Sequence, residues 1–159
     1  MRTLDRNKKP FYYRLYSQKV REIDENGDYT GEWRIVYHDP VRLYGNISAA
    51  TGNADLENFG TGVAYDKTLI LQGTDYAITE TTVLYLDELP VILTTDKEIE
   101  SGKTYYTFVD GVVSKVDEPE QAEIENYYEL NENYDYTVSK VAVSLNSTAL
   151  AISQVRHEE

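Results

Sequence analysis

The stretch YDYTVSKVAVSLNSTALAISQV, residues 134–155, is dense in β-branched and aromatic residues and contains neither proline nor glycine. Such a run suits a pleated, half-buried surface better than a helix, and SLNS in its middle supplies turn-forming side chains. It reads as two strands, 134–143 and 148–155, joined at 144–147.

The same texture recurs toward the N-terminus. TTVLYLDELP (81–90) reads as a strand ending at Pro90. In GVAYDKTLIL (62–71), Val63, Tyr65, Lys67 and Leu69 face one way and Asp66, Thr68 and Ile70 the other, by the two-residue period of a strand. VRLYGNIS (41–48) alternates through Val41, Leu43, Gly45 and Ile47, and EWRIVYHD (32–39) places Trp33, Ile35 and Tyr37 on one face. FYYRLYSQ (11–18), just after Pro10, is the first strand, and DENGDYTGE (24–32) is a turn centred on Asn26-Gly27, a pair that supplies positive φ. No window sustains a 3.6-residue period, so many short strands punctuated by turn residues point to a β-barrel or a sandwich. The expected core draws on Val36, Leu43, Ile47, Val63, Leu69, Leu71, Leu84, Leu86, Val138, Val141, Leu145 and Ile152.

Residues 91–131 differ in texture and form an inserted, acidic α+β lobe within a mainly β chain, so that 1–90 and 132–159 make up the core. YYTFV and VVSKV flank Asp110-Gly111, a hairpin signal. PEQAEIENYYEL predicts a short helix starting near Pro119 and carrying Ala122, Ile124 and Tyr128.

Composition narrows the function. The 159 residues are 41% hydrophobic, and no apolar run approaches the roughly 18 residues that span a bilayer. The basic start MRTLDRNKKPFYYRLY lacks the apolar stretch of a signal peptide, so no export by that route and no membrane partner is expected. There are no cysteines, which excludes thiolate nucleophiles, disulfides and Cys-based zinc sites and fits a reducing compartment. A net charge of -13 argues against nucleic-acid binding by phosphate neutralisation. The charge is uneven, with seven basic side chains against one acidic in residues 1–21, and eleven acidic against three basic in 96–133.

Motifs that suggest chemistry fail on spacing. SGKT (101–104) resembles the end of a phosphate-binding loop, but the position that needs the first glycine is Lys97. DENGDYTGE has the alternating acids of a calcium loop, yet its glycine is fourth, not sixth, and its twelfth place is Ile35. His38 and His157 are the only histidines and have no carboxylate at ligand spacing. No enzyme, metal or cofactor is expected. The fifteen tyrosines are expected mainly in packing, with a sugar- or base-stacking surface as the other use.

The order DRNKKPFYYRLY, WRIVYHDPVRLYGNIS, a glycine-rich loop, VAYDKTLIL, ITETTVLYLDELP and YDYTVSKVAVSLNSTALAISQV resembles the head-tail connector proteins of tailed phages of Gram-positive bacteria, and within them the head-closure, or stopper, class. ESGKTYYTFVDGVVSKVDEPEQAEIENYYE (100–129) resembles a small module recurrent in phage structural proteins. The resemblance implies a small β-barrel joined as a homo-oligomeric ring of about twelve copies, each using two different complementary patches. It further implies a portal-side adaptor as one partner, a tail-completion or tail-terminator protein as the other, and genomic DNA passing through without specific binding. The protein would be made in the host cytoplasm and reside in the virion neck.

In that class a loop between two barrel strands projects into the channel. Its counterpart here is Ser48, Ala49, Ala50, Thr51, Gly52, Asn53, Ala54, Asp55, Leu56, Glu57, Asn58, Phe59, Gly60 and Thr61, longer than the roughly 12 residues usual for an unstructured connection. An interface role against a neighbouring subunit is the alternative for this loop. Arg2, Arg6, Lys8, Lys9 and Arg14 are the candidate basic contacts between subunits. Rival readings are an adaptor or tail-completion protein, which a mainly helical structure would favour, and a surface β-sandwich that binds carbohydrate through tyrosines.

Overall fold

The computed structural model describes residues 8–49 and 65–155 and is mainly β. Six antiparallel strands close a barrel: β1 (Lys9–Arg14), β4 (Val41–Ala49), β5 (Lys67–Gln72), β12 (Ser147–Gln154), β11 (Tyr136–Val143) and β6 (Val83–Tyr85), which returns to β1. Closure leaves no free edge in the barrel, and this decides between the barrel and the sandwich that the strand pattern left open.

The interior is filled from all sides by Phe11, Leu69, Leu71, Leu84, Tyr136, Val138, Leu150 and Ile152, with Leu43, Ile47, Leu86 and Val141 packed against them. Each fully buried aliphatic among them contributes about 1.5–3 kcal/mol. Val138 and Val141 are three positions apart, so strict alternation would put them on opposite faces. A bulge between Val138 and Lys140 resolves this, because the extra residue, Ser139, turns Val141 inward and Lys140 out. Gly45 lies between the inward positions Leu43 and Ile47, and a Cβ there would stand 2.8 Å from Leu69 Cδ1 and 3.0 Å from Leu71 Cδ2. The two leucines thus occupy the space that a side chain on β4 would fill. Gly45→Val is expected to overpack this point and lower stability by about 1–3 kcal/mol in a urea titration.

Two expectations about the core are corrected. Leu145 is 91% exposed at the tip of the β11–β12 turn, where a two-strand hairpin reverses and nothing lies above it. Val36 is only half-buried and stands outside the barrel. Val63 lies outside the described residues. Phe11, Ile78, Tyr136 and Leu150 belong to the core unanticipated.

The expected first strand, 11–18, breaks at Leu15. Its first part, β1, stays in the barrel, and its continuation β2 (Tyr16–Ile23) leaves to pair with β3 (Tyr29–Tyr37) as a separate two-stranded arm. The arm's turn is the expected one, with Gly27 at φ 83° and the Asp24 carboxylate accepting from the Asn26 and Asp28 amides at 2.9 and 3.0 Å.

The lobe is a four-stranded sheet in the order β7 (Val91–Leu93), β10 (Tyr128–Leu130), β8 (Tyr105–Val109), β9 (Val112–Val116). The β8–β9 hairpin turns at Asp110 and Gly111, with φ of 52° and 80°. The expected helix is a six-residue 3-10 helix, Gln121–Asn126, with no side-chain cap. Of its anticipated contacts only Ile124 is buried, joined by Tyr105 and Tyr127; Ala122 faces out and Tyr128 belongs to β10.

Candidate functional site

β4 and β5 pair through to Ala49↔Lys67, so the last residue of β4 and the first of β5 lie side by side at one barrel end. A cleft of about 480 Å³ opens there among Lys9, Pro10, Ile47, Ser48, Asp66, Lys67, Leu86 and Asp87. Its frame is held by backbone bonds to two carboxylates. Asp66 accepts from the Gln154 amide at 2.7 Å while its own amide donates to the Ile152 carbonyl, which fixes the start of β5 on β12. Asp135, buried where β11 begins, accepts from three successive amides, Leu86, Asp87 and Glu88, at 2.8, 2.7 and 3.0 Å. Lys67 lies 5.2 Å over the Tyr136 ring, and its bond to that phenol holds the ammonium above the ordinary lysine range.

Of the loop singled out in the sequence, Ser48 and Ala49 end β4 and Ser48 lines the cleft; 50–61 lie outside the described residues. Arg2 and Arg6 do so as well. Lys8 donates to Gln72 Oε1 at 2.8 Å, and Lys9 is exposed on the cleft wall. Arg14, 4% exposed, is an internal clasp and not a surface cation. Its Nε donates to the His38 carbonyl at 2.9 Å and Nη2 to that of Tyr37 at 3.4 Å, which ties β1 to the end of the arm.

The lobe is fastened to the barrel wall by tyrosines and an arginine. Tyr12 Oη donates to the Gly111 carbonyl at 2.5 Å and Arg42 Nη1 to that of Asp110 at 2.8 Å, so the hairpin turn is gripped from neighbouring barrel strands. Tyr106 donates to Asp39 at 2.8 Å and Tyr85 to the Asn131 carbonyl at 2.5 Å. Burial, reinforced for Tyr106 by Asp39, pushes both phenols above their ordinary range, so they remain donors. Six of the fifteen tyrosines are buried in the barrel, the lobe or this seam and serve packing, whereas Tyr16, Tyr29 and Tyr44 are exposed.

The lysine of SGKT is also internal to the lobe. Lys103 Nζ lies 2.6 Å from Asp96 Oδ2 and 2.7 Å from Glu129 Oε1, and Tyr105 donates to the same Asp96 oxygen at 2.8 Å. The lysine of the motif is thus engaged by carboxylates of its own lobe. The bonds from Lys103 and then Tyr105 hold the Asp96 carboxyl below its usual range, and the two carboxylates hold Lys103 above its own. A depressed carboxyl contributes stability above its unfolded pKa and loses it as pH falls, so the lobe should loosen below about pH 4. Amide exchange is expected to accelerate in β8 and β10 before the barrel strands. Lys103→Met should produce the same loosening at neutral pH, where Asp96 and Glu129 then lack the cation between them.

Among the described residues no three His, Asp or Glu side chains converge as metal ligands, and no helix is long and apolar enough to cross a membrane. No family model, curated protein or solved structure matches this chain.

What the sequence did not announce is the face of the β2–β3 arm. Ile23, Tyr29, Trp33 and Ile35 are all exposed there, beneath Lys19 and Arg21, which stack on the rings. The alternation of Trp33, Ile35 and Tyr37 was legible; that the arm stands outside the barrel depends on the break at Leu15.

Proposed function

We propose that this chain is a non-enzymatic virion protein, the head-closure element of a tailed-phage head-tail connector. It forms a ring that closes the DNA-filled head and gives the tail its attachment site. The carrying observation is the closed antiparallel barrel in which β4 and β5 pair up to Ala49↔Lys67, so that the long connection between them starts and returns at one barrel end. This is where the resemblance places the channel segment. A mainly β chain supports closure over the helical adaptor, and the closed barrel weighs against the carbohydrate-binding sandwich. A strongly acidic conduit repels DNA and lets it slide. The partners on this reading are further copies of the chain, the portal-side adaptor and a tail-completion or tail-terminator protein, met in the virion neck after synthesis in the host cytoplasm.

The test is an amber mutation of the gene in its phage, with lysates imaged by electron microscopy. Emptied or leaking heads beside normal, unattached tails are expected. Full heads carrying tails would overturn the reading. Removing residues 50–60 alone, in a protein that still joins heads to tails, should release DNA.

A further inference from the structure

A two-stranded ribbon is marginally stable alone in water, yet the β2–β3 arm stands apart from the barrel and presents large apolar side chains. Ile23, Tyr29 and Trp33 are 61%, 62% and 53% exposed, so the chain's own lobe and barrel do not cover them. The strand register puts Lys19 opposite Ile35 and Arg21 opposite Trp33, on the same face. Arg21 lies 3.8 Å over the Tyr29 ring and Lys19 5.5 Å over that of Trp33. These two cations share the strand face with no carboxylate: Glu22 and Glu32 alternate to the other side. An aromatic and aliphatic surface with stacked cations has the composition of an interface core.

The lobe carries the complement. From Asp117 through the 3-10 helix to Glu125, five carboxylates are exposed: Asp117, Glu118, Glu120, Glu123 and Glu125. Beside them runs β7, an edge strand of the lobe sheet with Ile92 and Leu93 more than half exposed, joined to the helix end by the bond from the Thr94 amide to the Tyr127 carbonyl. An acidic ridge flanking an apolar strand edge matches a cationic, apolar sheet face in both charge and character.

We infer that the arm docks on the acidic ridge and β7 edge of a second copy of this chain, with Trp33 at the centre of the contact and Lys19 and Arg21 facing the neighbour's carboxylates. The two patches differ, so the contact is heterologous and propagates around a ring or along a filament. It names the subunit contact that head closure requires but does not depend on the phage setting. Single-stranded nucleic acid also binds aromatic and cationic faces. Against it stand the aliphatics Ile23 and Ile35, the acidic arm tip of Asp24, Glu25 and Asp28, and the net charge of -13.

Trp33 is the chain's only tryptophan, so its emission reports the contact directly. In low salt, where surface charges are least screened, raising the full chain toward about 1 mM should blue-shift Trp33 in step with a rise in sedimentation coefficient. Lys19→Glu with Arg21→Glu should weaken this association at least about tenfold. Mixing that variant with a chain carrying Glu120→Lys, Glu123→Lys and Glu125→Lys should restore it. Solvent-like Trp33 emission in a monomer throughout, association unmoved by the reversals, or a shift produced by oligothymidylate and not by self-association would each overturn the inference. The head-and-tail imaging is independent, so closure defects without this association would sink the contact and spare the function.

Discussion

Asp135→Ala is expected to lower stability by about 2–4 kcal/mol, because it removes the buried carboxylate that accepts from the amides of Leu86, Asp87 and Glu88, and a hydrogen bond to a charged group contributes about 1.5–3 kcal/mol. Asp87 and Glu88 are exposed, so water replaces part of the loss. In a domain of this size that is a fall in Tm of roughly 4–16 °C. The carboxylate acts as a cap for a chain segment that leaves the barrel: β6 ends at Tyr85, the segment turns away toward the lobe, and no neighbouring strand supplies acceptors for its first amides. Asp135→Asn keeps one acceptor oxygen and should fall between the variant and the native chain. The position also shapes the cleft, since Leu86 and Asp87 form its wall. Thermal unfolding followed by circular dichroism measures the loss, and an unchanged Tm for Asp135→Ala would refute the capping role.

Arg14→Met should cost about 2–4 kcal/mol, and the loss should be concentrated in the arm. The ion pair with Glu132 contributes little to this: at 3.6 Å, with Glu132 three-quarters exposed, it is worth less than about 1 kcal/mol. The larger part comes from losing the charge-assisted bonds to the His38 and Tyr37 carbonyls. Those bonds bridge the barrel and the returning end of β3. Amide exchange in β2 and β3 is therefore expected to quicken far more than in β5 or β12, whereas Glu132→Gln should leave both nearly unchanged. Equal acceleration in barrel and arm would mean that Arg14 supports the core generally. A loosened arm also bears on assembly, because the face that carries Trp33 must be held in a fixed pose to dock.

Both predictions concern polar residues whose importance was not visible in the linear pattern. Asp135 sits in YDYTV, inside the strand expected over 134–143; it acts by contact with residues nearly fifty positions earlier. Arg14 counted among basic candidates for a subunit contact, and burial reassigns it to the inside of the chain. Lys103 likewise belongs to a local motif whose spacing excluded phosphate binding, but its engagement by Asp96 and Glu129 required the lobe to fold.

Local rules carried further with the strands. Alternation and turn chemistry located the β11–β12 hairpin, the Asn26-Gly27 and Asp110-Gly111 turns and most inward-facing aliphatics, because each depends on a few consecutive residues. Leu145 was misplaced for the same reason: its hydrophobicity says nothing about being at the tip of a turn. The six-residue 3-10 helix is another such case, where a helical run is stopped after one anchored residue, Ile124, and the chain re-enters the sheet at β10.

The sequence by itself determined that the chain is mainly β, where its tight turns lie, and that it carries no thiol chemistry and a strong negative charge. Those properties are set by composition and by neighbours within a few residues. Only the tertiary structure decided that the strands close into a barrel, that the run from Phe11 splits between barrel and arm, that Ser139 bulges so Val141 can face inward, and that Tyr12 and Arg42 grip the lobe. Each of these depends on pairings between residues far apart in the chain, and their energies exist only once the partners have been brought together.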